Sequence, residues 1–324
     1  MSPVERPSIT VLHEVVELAC RAPSIFNSQP WAWRVDGPRL ELHADRSRGL
    51  PAVDPEGRDL LVSCGAALHH AQVAAAATGW TPSVHRRPNP EDEDHLATIT
   101  FVPSPITAEH SALLRALDER RTDRRSYSSW PIAPGLLTEL ARTAGHWGAR
   151  AVPVTDEASR FVLERLVAQA LAHQATVEPV VAEQASWLDR STDEGVPATT
   201  VPRLVGASTS HRSRFGAGLL PQPDRESENV DGVLVIGGHD DEPAAWLRSG
   251  EALSALWLDA VASRLSVLPL TQVVEVDETR RALQQDVLGG EVVPHVLVRV
   301  GWHGTALQPI GRTPRRPLHD VLLP

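Results

Sequence analysis

The sequence predicts an α+β fold, layered in the α/β manner and built from two similar halves. Three features predict it. Helical and strand-like stretches alternate with few strands among them, two helix-period stretches are long and apolar, and these two superpose on each other. A shift of 185 positions pairs Gly65 with Gly250, Ala67 with Ala252, Leu68 with Leu253, Val73 with Leu258 and Ala75 with Ala260. Any two amphipathic helices share some matches, but here each also sits between earlier mixed structure and a later strand, as repeated halves require. Two such halves in one chain pack as a fused pseudo-dimer, in which each half is free to lose what the other supplies.

The elements follow in order. Val11, Leu12, Val15, Val16, Leu18 and Ala19 give residues 9–22 one broad apolar face at helical spacing, and Pro23 ends it. Strands are expected at 31–35 and 40–44 around a turn at Gly37 and Pro38. After Pro55, a helix over 58–78 is apolar on most sides and belongs in the centre. A strand at 97–102 is followed by helices at 108–121 and 134–145, a strand at 151–154 and a helical pattern over 157–188. Residues 189–230 are polar, carry several Pro and Gly, and have no sustained period. So long a connection suggests a lid or arm. A short strand at 233–236, the second long helix at 242–264 and a strand at 296–300 complete the chain. The halves are expected to divide as 1–106 and 107–324.

Composition narrows the function. Hydrophobic residues make up 42% of the 324 residues and charged ones 22%, which is globular composition, too interrupted by charge for a membrane protein. A net charge of -10 argues against nucleic acid and anionic membranes as partners, so any anionic ligand must meet a local arginine cluster. Cys20 and Cys64, the two cysteines, have neither metal-ligand nor redox spacing. The N-terminal residues lack an apolar signal core, and a cytoplasmic location is the expectation.

Three segments could carry chemistry. RAPSIFNSQPW, residues 21–31, packs two serines, two amides and Pro-Trp into one loop. Asn27 both donates and accepts, as the edge of a heteroaromatic ring demands, although the same residues would serve an ordinary polar loop after a helix. ERRTDRRSY, residues 119–127, surrounds Thr122 with four arginines. In an acidic chain this suits a phosphate, which guanidinium grips through paired hydrogen bonds; a solvated helix end is the alternative. TPRRPL, residues 313–318, adds Arg315 and Arg316.

Together these segments resemble the nitroreductase superfamily, and the whole chain resembles its fused, double-length actinobacterial members, including mycobacterial dormancy-associated ones. The resemblance implies a nitroreductase-like fold with FMN as cofactor. Arg120, Thr122 and Arg124, with Arg315 or Arg316, would then hold the phosphate and ribityl side. Pro23, Ser24, Asn27 and Gln29 would meet the isoalloxazine, with Trp31 closing the motif. The first half has the Pro-Ser loop and the second half the Arg-Arg-Thr motif and C-terminal arginines, so one complete site and one FMN per chain are implied, in an intramolecular pseudo-dimer whose further association the sequence does not decide. Where relatives carry a Gly-rich turn, this chain has Ser266 to Thr271, whose Leu270 and Thr271 would contact the flavin through their backbone. The implied activity is transfer of electrons from NAD(P)H to nitroaromatics or quinones, with no catalytic side chain assigned. The alternative is a flavin storage or sensing protein whose lid covers the FMN. No metal is expected, since His69 and His70, adjacent on a helix, point about 100° apart. No hydrolase elbow or zinc-protease motif is present.

Overall fold

The computed structural model describes residues 5–203, 214–215, 218–221, 231–302 and 309–324. The first half runs α1 (Ile9–Ala19), β1 (Trp31–Asp36), β2 (Arg39–Ala44), α2 (Arg58–Ala77), β3 (Trp80–Arg86) and β4 (His95–Pro103). α3 (Ala108–Glu119) leads into a second run of α4 (Pro134–Gly145), β5 (Arg150–Pro153), α5 (Glu157–Gln174), α6 (Glu178–Ser186), β6 (Gly232–Gly238), α7 (Pro243–Ala262) and β7 (Leu265–Leu270). Short helices α8 (Gln272–Glu275) and α9 (Asp277–Ala282), then β8 (Val293–Trp302) and α10 (Leu318–Val321), complete it.

Each half holds one antiparallel four-stranded sheet, ordered β1-β2-β4-β3 and β5-β6-β8-β7. The two orders are one topology used twice. Each sheet even breaks register at the corresponding place, between Leu42 and His43 in β2 and between Ile236 and Gly237 in β6. The long helices α2 and α7 cross between the sheets. A Cβ built on Gly65 would lie 2.0 Å from the carbonyl oxygen of Leu247, and one built on Gly250 would lie 2.0 Å from that of Val62. These contacts are reciprocal, and Gly65 and Gly250 also touch each other, as counterparts on a two-fold axis must. His69 likewise bonds its own counterpart Ser254 at 2.8 Å. α2 is long and apolar enough to cross a membrane by composition, yet it is the buried centre of this fold. One hydrophobic core includes Leu12, Trp33 and Leu68 from the first half and Leu234, Trp257 and Val298 from the second. The chain end returns to the first half, where Leu323 N–H donates to Trp33 O at 2.7 Å.

Several expectations need correction. β3 and β7 were not foreseen. Both are edge strands containing a proline, Pro82 and Pro269, whose missing N–H an edge tolerates; β3 alternates in burial around its proline, whereas β7 is buried nearly throughout and shows no alternation. The segment 157–188 is not one helix: it breaks at Ala175, and Pro179 opens α6, since proline inside a continuous helix would remove a hydrogen bond and clash. Of the stretch 189–230, residues 204–213, 216–217 and 222–230 lie outside the described residues. Its described part packs Val196, Val201 and Phe215 with Trp187 against Phe26, Leu50 and Val53.

The glycine crossing is testable. An alanine in a helix interior usually gains about 1 kcal/mol over glycine. At Gly65 the added methyl meets backbone that has nowhere to go, so Gly65→Ala is expected to lose about 1–3 kcal/mol instead, read from the midpoint of urea unfolding. Gly135→Ala, where nothing lies within 4 Å, is the control and should not destabilise.

Candidate functional site

The loop between α1 and β1 is held in a costly shape. Phe26, Asn27 and Gln29 have φ of 51°, 55° and 52°, left-handed values that non-glycine residues rarely adopt. Tertiary hydrogen bonds maintain them. Asn27 Nδ2 donates to Gly195 O at 3.0 Å and Pro314 O at 3.1 Å, and its Oδ1 accepts from Arg315 Nη1 at 3.0 Å. Gln29 Nε2 donates to Asp193 O at 2.8 Å, while its Oε1 accepts from the Arg316 N–H at 2.9 Å. The Asn27 amide is therefore committed to protein partners, and Gln29 is fully buried beneath the loop. Neither offers a free edge to a ring, which departs from the expectation for these two side chains.

Two cavities, each ≈ 800 Å³ counted out to solvent, share Pro23, Ser24, Thr122 and Arg124 as common walls. The first is mainly apolar. One face of α2 (Asp59, Val62, Ser63, Ala66) forms a side, and Leu253 and Trp257 of α7 form another. Leu268, Leu270 and Thr271 at the end of β7, with Phe26 and the pair Arg214–Phe215, complete it. Arg214 is anchored there, donating from Nη2 to Thr271 Oγ1 at 2.8 Å and Glu275 Oε1 at 2.6 Å.

The second cavity is basic. Arg21, Arg120, Arg121, Arg124, Arg312 and Arg315 line it against one acid, Asp118, which bonds Arg21 and Arg312. Arg120 is 5% exposed and lies over the Trp257 ring, 4.6 Å from its centroid, with Nε unpartnered. Burial first, then the charges of Arg315 and Arg121, push its pKa well down. Arg124 has an unpartnered Nη1, and burial followed by repulsion from Arg214 lowers it to about 10. Burial likewise lowers Arg315 to about 10. Cations depressed in this way are stabilised by an anion. Not every arginine of the motif is available, because Arg125 chelates Asp123 with both contacts at 2.9 Å.

The structure thus brings together Pro23, Ser24, Asn27, Arg120, Thr122, Arg124 and Arg315 at the basic cavity, with Leu270 and Thr271 on the adjoining apolar one. Gln29 and Arg316 line neither. Arg316 bonds Gln29 O at 3.4 Å and Asp320 O at 2.6 Å on the far side of the loop. Asp59, Trp257, Arg214 and Phe215 were missed. Only Asp59 left a sequence signal, as an acid in the first turn of an otherwise apolar helix.

The symmetry-related place is filled. At the same shift of 185, Ala66 corresponds to Glu251, Trp257 to Gln72 and Thr271 to Arg86. Arg86 grips Glu251 in a bidentate pair at 2.7 and 2.8 Å, and Gln72 bonds Glu251 at 2.8 Å. This network occupies the second half's counterpart of the apolar cavity. A further cluster, Glu41, His43 and His95, brings potential metal ligands within 4.8 Å, but the imidazoles stack at 18°. Near-parallel rings cannot both direct an in-plane lone pair at one ion.

No family model matches the chain. The provisionally named NAD(P)H nitroreductase Rv3131 of Mycobacterium tuberculosis is 38% identical over 321 residues, covering 98% of this chain and 92% of that protein. The provisionally named NAD(P)H nitroreductase acg of the same species is 36% identical over 320 residues, covering 96% and 95%. A solved nitroreductase with bound FMN from Desulfitobacterium hafniense superposes at a TM-score of 0.42 and 16% identity, over 64% of this chain and 95% of that one. With more than a third of its residues matched to the two mycobacterial proteins along nearly its whole length, the chain belongs to the nitroreductase family.

Proposed function

We propose that the chain binds one FMN and passes electrons from NAD(P)H to a small acceptor such as a nitroaromatic or a quinone. The observation that carries this reading is the junction of an apolar slot with a basic pocket across Pro23, Ser24, Thr122 and Arg124. A planar ring with a phosphate tail needs that sequence of surfaces, and the unpartnered Arg120 Nε and Arg124 Nη1 suit the tail. Arg120, Thr122, Arg124 and Arg315 would take the phosphate side. Pro23, Ser24, Trp257, Leu270 and Thr271 would enclose the ring. When bound, the flavin supplies hydride chemistry, so no side-chain nucleophile is needed. The chain's part is to orient the ring, exclude water and neutralise the phosphate.

A single site per chain is part of the reading, because the Arg86–Glu251–Gln72 network fills the alternative place. A second reading, flavin storage or sensing, draws on Arg214 and Phe215. They form a wall of the apolar cavity, with Arg214 tied to Thr271 and Glu275, where an arriving nicotinamide would have to stack.

Purified protein should release one FMN per chain, counted from the absorbance after denaturation. Arg124→Ala should leave the chain folded and weaken FMN affinity by about 10- to 150-fold, the equivalent of a lost charge-assisted hydrogen bond at about 1.5–3 kcal/mol. Arg316→Ala, outside both cavities, should change affinity far less; equal losses would remove the phosphate assignment. Anaerobic NADPH should bleach the flavin band of the intact protein. If bleaching instead requires Phe215→Ala, storage replaces turnover.

A further inference from the structure

Asp59 is 3% exposed and lines the apolar cavity, yet its Oδ1 has no hydrogen-bond partner. Its neighbours explain why. Three carboxyls meet at the start of α2 and around α8, and the donors are shared unequally. Asp54 Oδ2 accepts from the Leu60 N–H at 2.8 Å and so takes the free start of the helix. Glu275 accepts from Arg214 at 2.6 Å and from Gln174 Nε2 at 2.6 Å. Arg58 donates from Nη1 to Val274 O at 3.1 Å and from Nη2 to Glu56 at 2.7 Å, its Nε has no hydrogen-bond partner, and none of its hydrogen bonds reaches Asp59. Asp59 receives nothing. When three carboxyls crowd one apolar site, the proton resides on the one without donors.

We propose that Asp59 projects into the cavity as a neutral carboxylic acid and donates a hydrogen bond to an acceptor atom, a carbonyl oxygen or ring nitrogen, of the bound heteroaromatic ligand. The proposal rests on the flavin reading and deepens it. Ser63, one turn along α2, cannot take the role, because its Oγ already donates to Asp59 O at 2.7 Å and accepts from the Ile25 N–H at 3.1 Å. Thr271 Oγ1 accepts from Arg214 at 2.8 Å and keeps its own O–H, so a donation from it would come from the β7 end of the cavity and not from α2. Burial is the largest influence holding the Asp59 proton in place. The charges of Asp54 and Glu275 add to it, while Arg214 and Arg58 pull the other way. The sign follows. A carboxyl with a raised pKa donates below that pKa and becomes a repelling anion above it, so affinity through this contact is lost as pH rises.

The test is FMN titration of the full chain, read by quenching of flavin fluorescence between about pH 5 and 9. The ligand's own phosphate titrates equally for every variant, so the difference between variants carries the result. Wild-type affinity should fall at least tenfold more across that range than that of Asp59→Asn, whose amide donates at every pH. Asp59→Leu, with no donor, should bind weakly throughout. Should Asp59→Asn fail to fold, infrared difference spectra of the wild type supply a second readout, in which FMN should shift a protonated-carboxyl band. Matching pH profiles for wild type and Asp59→Asn, or no such band, overturn the proposal and leave the flavin reading standing. If the wild type binds no FMN at any pH, both fall.

Discussion

Everything else in this fold depends on the approach of two backbones at Gly65 and Gly250. A side chain at either position would collide with the carbonyl of the opposing helix, so α2 and α7 can cross this closely only because both counterparts lack a Cβ. That crossing lies on the internal two-fold. It sets the distance between the sheets, turns the Asp59–Ala66 face of α2 toward Leu253 and Trp257, and so creates the walls of the apolar cavity. The lost conformational entropy of two helix-interior glycines is offset by the shared core, which neither half could complete alone.

The two-fold then permits asymmetry. In a dimer of identical chains every residue change appears at both sites, whereas a fused chain mutates each half separately. One site here keeps small or flat residues at Ala66, Trp257 and Thr271. The other places Glu251, Gln72 and Arg86 at the matching positions, and they bond into a plug. Glu251 is fully buried, and a buried carboxylate is tolerated only when donors surround it, which Arg86 and Gln72 supply. The hydrogen bonds of Glu251 hold the Arg86 guanidinium above its ordinary pKa.

Charge is distributed against the overall trend. The chain is acidic, with a net charge of -10, yet it buries Arg120, Arg124 and Arg315 around one hollow. Desolvating cations is costly, and under the proposed reading a bound phosphate would offset that cost. The left-handed residues of the neighbouring loop store strain in the same place. Asn27, Arg315 and Gly195 bind that loop to the second half and to the chain end, so the strained loop and the buried cations support one another.

By itself the sequence determined the layered α+β class, the repeat at a shift of 185, most helices, and the segments that converge on the site, because periodicity and short motifs are local properties. The edge strands β3 and β7 escaped it, since each carries a proline that argues against a strand, and β7 is buried too continuously to alternate. Only the tertiary structure decided which motif residues line the two cavities. Asn27 and Gln29 spend their amides on the chain itself, Arg125 on Asp123, and Arg316 turns away, while Asp59 and Trp257 arrive from helices that carry no motif. For the two amides the reason is physical: whether they are free depends on partners more than a hundred positions distant, Gly195 for Asn27 and Asp193 for Gln29, and no local pattern records them.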